Sequence, residues 1–393
     1  MNKTYANVAC AGMDVHYQFS RVAFRDGAGE LVRRERLDHR DREKLREQLA
    51  RWPKGLTVVL EASFGWGWVS DEMDAAALDV HLSNGYKVDQ MRKARGLPKT
   101  NKKDAGLTAL LPLEPDRWWE VWRPPVEVRE HREWLRYRAD LVDLQTQTKN
   151  RIHGLFHRQG IFYEFSDLFG SKGREFLVTL CRDGSPHLSE AGRYVLGGYV
   201  RQLDRLRREL ADVARRLHGQ LKMDPLIARI KTIPGFGLIL AHVVTSEIGD
   251  LKRFRSHRPL ASYSLLAPIC NDSGEEDPRE TPKGRRLGHR GNRTLKWAFV
   301  EAAHGAVRKD ARLRELFHRH TQGGKVNVNR GYLKVARELV KIVYAVWRDG
   351  RTYRMNPVTP LPQGPERSEP SAGAKRHSRS GTGRPSHPMV VAE

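Results

Sequence analysis

Two apolar segments that each end in a carboxylate constrain the fold of this chain more than any other feature. The segment "VACAGMD" starts at Val8 and reaches Asp14, and the segment "VVLE" ends at Glu61. Both have the composition of buried strands, and a buried strand excludes a carboxylate unless that group is paired or binds a cation. The sequence therefore predicts that Asp14 and Glu61 lie at strand ends and belong to a site rather than to the core.

The elements predicted around these segments follow the order of an α/β domain. Three strands are predicted within residues 7–37, and the Gly-rich "DGAGE" joins the second to the third. A polar helix, "HRDREKLREQLARW", is followed by the "LTVVLEAS" strand, a helix over "WGWVSDEMDAAAL" and a strand at "DVHLSN". "NKKDAGLTALLPL" predicts an amphipathic helix with Asn101 as N-cap and Asp104 in its first turn. Strand order and the acidic residue in the first strand resemble the RNase H-like fold, which we expect over residues 1–115.

The rest of the chain is predicted to be mainly helical. A long helix begins after the two prolines of "RPP", and a second, from about residue 189 to 222, carries a heptad seam. The seam residues are Leu196, Tyr199, Leu203, Leu206, Leu210, Val213 and Leu217. Two interpretations are open: packing within one domain core, or an intermolecular coiled coil that pairs two chains. We expect a helical coiled-coil connector over 116–222, a mainly α C-terminal domain over 223–350, and a disordered basic Pro/Ser-rich tail over 351–393 that catalysis does not need.

Charge and cysteine content narrow the class of protein. The chain has 70 Lys and Arg against 47 Asp and Glu, a formal charge of +23 that is spread along its length. Such an excess favours a polyanionic partner, with nucleic acid first, over a basic protein without one. Cys10, Cys181 and Cys270 are far apart and predict neither a disulfide framework nor a zinc site. With no signal peptide and no apolar run of about 18 residues, we expect a soluble protein of a bacterial-type cytoplasm, with no membrane partner.

Three acidic residues are candidates for a metal site. If the first and fourth strands are neighbours, Asp14 and Glu61 point into one crevice, which the first turn of the "NKKDAGL" helix can reach with Asp104. Three converging carboxylates repel one another unless a divalent cation lies among them, and their oxygens suit Mg²⁺ or Mn²⁺. In nucleases such a site activates the attacking oxygen and stabilises the leaving one. The alternative is three separate surface carboxylates.

A glycine-rich turn, "IPGFG", is a candidate for binding phosphate. Gly235 and Gly237 flank an apolar residue between two short predicted helices, where backbone N–H groups at a helix N-terminus can bind phosphate. This turn resembles the hairpin of helix-hairpin-helix elements that bind DNA. The alternative is a packing corner, because glycines serve tight turns in any context.

A polar loop over residues 270–292 is the third candidate. It contains Ser273, followed by Gly274 and a run of cations that would bind phosphates and place the hydroxyl to attack phosphorus. The cations are Lys283, Arg285, Arg286, His289, Arg290, Arg293 and Lys296. The alternative is an ordinary loop serine beside a solvated basic face.

Taken in order, these motifs resemble the DEDD transposases of insertion sequences, a family that includes the pilin-gene invertase and the bridge-RNA-guided recombinases. The motifs, which span roughly residues 8–345, are GMDVH, VVLEAS, KTNKKDA, NRIHGLF, IPGFG, LASYSLLAP with the following SG, and GHRGNRTLK. The resemblance implies a RuvC-like domain in which Asp14, Glu61 and Asp104 bind metal. It also implies that Ser273 is a nucleophile that forms a transient phosphoserine link to DNA. Family members form dimers that assemble into tetramers, and a noncoding guide RNA pairs with target and donor DNA.

One position departs from the family pattern. The last acidic pair of the family reads D-x-x-D, whereas this chain reads "NKKD", with Asn101 in place of the third acid. An amide oxygen can still bind a divalent ion, so Asn101 is a candidate metal ligand without a charge. It can instead serve only as a helix cap, or mark an inactive copy. Asp89 is the nearest carboxylate upstream, but its context does not match the motif.

The sequence is therefore compatible with three functions. The first is a site-specific DNA transposase or recombinase with a metal-assisted serine mechanism. The second is a RuvC-like metal-dependent junction nuclease that uses water and no serine. The third is a scaffold that binds nucleic acid without catalysis.

Overall fold

The structure is a computed structural model. It describes residues 5–98, 101–114, 116, 118, 120–220, 224–268, 287–288, 290–323 and 327–354. For residues 101–103 and 220 it describes the backbone alone.

A six-stranded mixed sheet forms the N-terminal part, with the strand order β3-β2-β1-β4-β5-β6. The strands are β1 Cys10–Val15, β2 Phe19–Arg25, β3 Leu31–Asp38, β4 Thr57–Glu61, β5 Asp79–Ser83 and β6 Glu120–Val121. The first three strands form an antiparallel meander, β4 runs parallel to β1, and β5 runs parallel to β4. The three predicted N-terminal strands are confirmed, and this mixed α/β core fits an RNase H-like domain.

Alternate residues of β1 point to opposite faces of the sheet, as strand geometry requires. Ala11, Met13 and Val15 enter one hydrophobic core together with residues of β4. Helices α1 (Arg42–Ala50) and α2 (Trp66–Ala75) cover this face. The second face carries Cys10, Gly12 and Asp14 of β1, and helices α3 (Gly85–Ala94) and α4 (Asn101–Thr108) cover it.

Helix α3 was not predicted from the sequence. Only Val88 and Met91 of its ten residues are buried, so its apolar stripe is too narrow to be recognised by periodicity. Its start is set by Asn84, whose side-chain oxygen accepts a hydrogen bond of 3.2 Å from the backbone nitrogen of Lys87. The short β5 pairs with β4, and α3 begins just after β5, next to the ends of β1 and β4.

The C-terminal part is helical. Its helices are α5 Val126–Gln159, α6 Ser171–Asp183, α7 Glu190–Gln220, α8 Pro225–Lys231, α9 Leu238–Ile248, α10 His257–Tyr263, α11 Arg293–Lys309, α12 Ala311–Thr321 and α13 Val328–Asp349. Helices α5 and α7 are antiparallel, because Gln159 contacts Ser189 and Tyr137 contacts Glu209. No helix within the described ranges is long and apolar enough to cross a membrane.

The heptad seam of α7 is used inside the chain. Its buried members are Leu196, Leu203, Leu206, Val213 and Leu217. The first two pack with α5 and α6 in a cluster of their own, whereas the last three join the core of the C-terminal helices. Packing within one chain therefore accounts for the burial of the seam. Pairing of two chains through this segment stays a prediction.

The C-terminal core extends beyond α13. Tyr353 packs against it, and the Tyr353 hydroxyl donates a hydrogen bond of 2.9 Å to Oδ2 of the buried Asp310. Burial and the Asp310 carboxylate raise the pKa of Tyr353 to about 12. The ordered fold therefore includes the first residues of the predicted tail, and residues 355–393 lie outside the described part.

Candidate active site

Helix α4 lies directly on β1. A Cβ atom built on Gly12 would lie 2.1 Å from the nitrogen of Ala109 and 2.4 Å from the oxygen of Ala105. On the same face, Cys10 Sγ donates a hydrogen bond of 3.1 Å to the carbonyl oxygen of Ala109. Because the last turn of α4 covers Cys10 and Gly12, its first turn reaches Asp14 and contains Asp104, as the sequence predicted.

Asp14 is largely buried, and its side chain is only 15% exposed. Burial is the main cause that raises the pKa of Asp14 above its usual range, and the nearby charge of Asp104 raises it further. His16 opposes this shift, since its Nε2 lies 3.1 Å from Asp14 Oδ2. Asp14 and Asp104 are thus close enough to repel each other when both are ionised.

Glu61 stands at the end of the strand next to Asp14. The register pairs Met13 with Leu60 in parallel strands, so the next residue on each strand is a carboxylate. The first and fourth strands are therefore neighbours, which is the condition under which the sequence places Asp14 and Glu61 in one crevice. The Glu61 side chain lies against the start of α3, where a Cβ atom on Gly85 would lie 2.2 Å from Glu61 Oε1. A glycine at residue 85 is what leaves room for this carboxylate.

The side chains of the three acidic residues do not surround a common position for a metal ion. Among the described residues, no group of three or more His, Cys, Asp or Glu side chains is arranged to hold a metal ion. The structure brings Asp104 to Asp14 and aligns Glu61 with Asp14 along the sheet edge. Asn101 is the first residue assigned to α4, rather than a cap preceding it, and its side chain lies outside the described part.

The predicted nucleophile and most of the predicted cations lie outside the described residues. These are Ser273, Lys283, Arg285, Arg286 and His289. Pro268 and Leu287, near the two ends of this segment, form an antiparallel β-bridge.

The described end of the basic segment reaches the N-terminal domain. The guanidinium carbon of Arg290 lies 3.5 Å from the centre of the Tyr86 ring. Tyr86 directly follows Gly85, against which Glu61 packs. The basic segment and the acidic edge of the same chain are therefore neighbours in space.

The remaining candidate cations lie at the start of α11. Arg293 is its exposed first residue, and Lys296 is half-buried in the first turn. The side chain of Trp297, next to Lys296, is 43% exposed. This end of α11 thus combines two cations with an accessible aromatic ring.

The two glycines of the "IPGFG" turn have different roles. Gly235 has a φ of +90°, and a Cβ atom there would lie 1.9 Å from the oxygen of Ala302 in α11. Its role in this fold is helix packing, which agrees with the packing-corner interpretation. Gly237 precedes α9, and no atom lies within 4 Å of a Cβ built on it. Of the two, Gly237 alone has space around it for a phosphate.

The C-terminal helices contain a buried polar network that the sequence analysis did not predict. Glu247 of α9 is 3% exposed, and its Oε2 accepts a hydrogen bond of 2.8 Å from Asn292 Nδ2. Arg132 of α5 lies 3.5 Å from the same carboxylate and donates to the carbonyl oxygen of Ser246. Asn292 also caps α11 by accepting a hydrogen bond from Leu295 N. An Asn just before a helix is a recognisable cap signal, but nothing in the apolar α9 segment indicates a buried acid.

The mixed sheet with carboxylates at the ends of β1 and β4 fits the catalytic domain of a DEDD transposase. Comparison with protein families gives the same class. A model for DEDD transposases of IS110 elements matches residues 11–159, and a model described as transposase IS116/IS110/IS902 family matches residues 227–318. The two matches together cover more than half of the chain. The chain belongs to this IS110-type family of DEDD transposases, which are DNA transposases.

Individual relatives agree with this assignment. The chain is 27% identical over 322 residues to the insertion element IS116 uncharacterized 44.8 kDa protein of Streptomyces clavuligerus, covering 71% of this chain and 78% of that protein. It is 28% identical over 257 residues to the insertion element IS110 uncharacterized 43.6 kDa protein of Streptomyces coelicolor, covering 54% and 62%. It is 24% identical over 237 residues to the transposase for insertion sequence element IS1111A of Coxiella burnetii, covering 58% and 61%.

Proposed function

We propose that this transposase is a site-specific recombinase that cuts and rejoins DNA through a transient phosphoserine link at Ser273. The observation that carries the proposal is the contact between Arg290 and Tyr86. It joins the basic segment that follows Ser273 to the residue next to Gly85, and so to the acidic edge. A nucleophile from one domain and carboxylates from the other would then act on one phosphate.

The acidic edge has the donor chemistry of a divalent metal site. Asp14, Glu61 and Asp104, with the amide of Asn101 as an uncharged fourth donor, would hold Mg²⁺ or Mn²⁺. The raised pKa of Asp14 beside Asp104 supports this assignment, because two close carboxylates are stable together when a cation lies between them. When bound, the ion would polarise the scissile phosphate.

The serine step conserves the energy of the phosphodiester bond. The Ser273 hydroxyl loses its proton, and its oxygen forms a bond to phosphorus as the bond to one flanking sugar oxygen breaks. That sugar oxygen takes up a proton and leaves as a free hydroxyl. Attack by the hydroxyl of a second strand reverses these changes and releases the serine, so no external energy source is needed.

Partners beyond DNA are part of the same proposal. The charge of +23 suits an RNA as well as a DNA partner. We propose a noncoding guide RNA, and a dimer that assembles into a tetramer. We also propose that the domain boundaries lie after residues 115, 222 and 350.

The test is a search for the covalent adduct. The protein is co-expressed with the noncoding DNA that flanks its gene, mixed with labelled element-end DNA and Mg²⁺, and run on a denaturing gel. We expect a protein–DNA adduct that is lost in Ser273→Ala and in Asp14→Ala. Ser262→Ala is the matched control, because Ser262 is an exposed serine of α10 in the same part of the chain.

Other outcomes separate the alternatives. Cleavage without an adduct, unchanged in Ser273→Ala, would favour the RuvC-like junction nuclease. Salt-dependent binding without cleavage in either Mg²⁺ or Mn²⁺ would favour the scaffold. Cleavage that appears only in Asn101→Asp would locate the defect in the metal site.

A further inference from the structure

A cleft of about 570 Å³ opens beside the acidic edge. Its walls come from the connection after β1, the connection after β4, the segment that leads from β3 into α1, and α2. The first two connections directly follow the strands that carry Asp14 and Glu61. Its size lies within the range of roughly 300–1,000 Å³ that is typical of pockets for small organic groups.

Two aromatic rings at this cleft are almost fully exposed. Tyr17 is 94% exposed and Phe64 is 93% exposed. Each lies three residues beyond one of the two carboxylates, Tyr17 after Asp14 and Phe64 after Glu61. The half-buried Trp68 of α2 also lines the cleft. Exposed large rings gathered at one place are typical of a binding surface.

The charged side chains that line the cleft are cations. Arg40 and Arg42 line it together with two histidines, and none of the described residues that line it is acidic. Each arginine also faces a carboxylate that does not line the cleft. Asp38 accepts two hydrogen bonds from Arg40, and Glu72 lies 3.7 Å from Arg42. The Arg42 guanidinium carbon also lies 4.7 Å from the Trp68 ring centre. Exposed rings beside fixed cations match a flat base attached to phosphates.

We propose that this cleft binds one unpaired base of the DNA strand that is cut at the acidic edge. The base stacks on Tyr17 and Phe64, and Arg40 and Arg42 contact the adjoining phosphates. The inference rests on the proposed function, because it takes the ends of β1 and β4 as the place of cleavage. A base drawn out of the helix there would hold the neighbouring phosphate at the carboxylates.

The experiment measures binding without chemistry, using the full chain in EDTA. The probe is a 20-base-pair duplex that carries a single unpaired 2-aminopurine, and the fully paired duplex is the reference. We expect the protein to bind the bulged duplex about tenfold more tightly, and to quench its fluorescence by stacking. Tyr17→Ala/Phe64→Ala should lose both the preference and the quenching. Both residues are so exposed that the double variant should unfold like the parent chain.

Control variants separate stacking in the cleft from a general change in DNA binding. Phe162→Ala should change neither readout, since Phe162 is also 90% exposed but follows the far end of α5. Tyr17→Phe should keep both. Equal loss of affinity for bulged and paired duplexes, or no loss at all, would overturn the inference. So would a stronger preference for the same bulge made of RNA. A double variant that forms the Ser273 adduct normally but has no altered bulge preference would refute the base pocket and leave the proposed function standing.

Discussion

A Cβ atom on Gly12 would lie 2.1 Å from the backbone nitrogen of Ala109, so α4 can pack on β1 only because residue 12 has no side chain. This close packing is what holds Asp104 over Asp14. We predict that Gly12→Ala lowers the free energy of unfolding by about 3 kcal/mol, since neither backbone can move without disturbing the sheet.

Urea unfolding followed by circular dichroism measures this change. Gly27→Ala is the matched control, because no atom lies within 4 Å of a Cβ built on Gly27 and its φ is not in the left-handed region. An equal effect in the two variants would mean that α4 does not depend on Gly12.

Removing the charge of Asp14 should stabilise the fold while it abolishes catalysis. The pKa of Asp14 is raised, so the folded chain holds this proton more tightly than the unfolded chain, and the ionised carboxylate costs stability at neutral pH. We predict that Asp14→Asn raises the Tm at pH 8 by a few degrees. This corresponds to a gain on the order of 1 kcal/mol in the free energy of unfolding. The difference should shrink as the pH falls through the folded pKa of Asp14 towards the ordinary aspartate value.

Calorimetry at pH 8 and pH 4 checks this sign. Asp38→Asn should not stabilise at pH 8, because hydrogen bonds from Arg40 hold the pKa of Asp38 below its usual range. Added Mg²⁺ should raise the Tm of the parent chain and leave Asp14→Asn unchanged. A lower Tm for Asp14→Asn at pH 8 would contradict the burial penalty.

The Arg290–Tyr86 contact should couple the two domains during catalysis. We predict that Arg290→Ala and Tyr86→Ala each slow adduct formation about threefold, the size expected from an exposed cation–π contact of roughly 0.5–1 kcal/mol. The double variant should be no slower than either single one, and Tyr86→Phe should behave like the parent chain. Quench-flow gels give the rates, and strictly additive losses would show that the two residues act separately.

Glu247 should be important for stability, although it lies outside the acidic edge. Arg132 is only 13% exposed, so Glu247→Gln would leave a largely buried cation without its counter-charge. We predict a loss of about 3 kcal/mol in the free energy of unfolding. Glu209→Gln, which weakens an exposed pair with Arg205, should leave the free energy of unfolding nearly unchanged. Comparable losses in urea unfolding would refute the argument from burial.

The sequence was sufficient to predict the first five strands of the sheet and the position of the carboxylates, whereas the two-residue β6 was not predicted. Apolar segments and the Gly-rich turn between the second and third predicted the three strands, and a charge at the end of an apolar run located Asp14 and Glu61. The first-turn position of Asp104 followed from the predicted start of its helix at Asn101. Spacing could not decide whether the α7 seam packs within one chain or between two, because a heptad pattern does not identify its partner helix.

Other features depend on contacts between distant segments. Gly85 resembles any helix-start glycine until Glu61 is found against it, 24 positions upstream in the sequence. Tyr17 and Phe64 read as ordinary loop aromatics, since exposure is a property of the folded chain. The burial of Glu247 depends on α5, more than 100 residues away, and no local pattern reports it.

Helix α5 runs without a break for 34 residues, which at 1.5 Å per residue makes a rod about 51 Å long. Near its start, Arg129 contacts Asp71 of the sheet domain and Arg132 contacts Glu247 of the C-terminal helices. Its far end is fixed by Ile152 and Phe156, packed against α6 and α7. The rod is therefore anchored to both domains at one end and to a separate helical cluster at the other. Both domains are therefore connected to that distant cluster through one and the same helix.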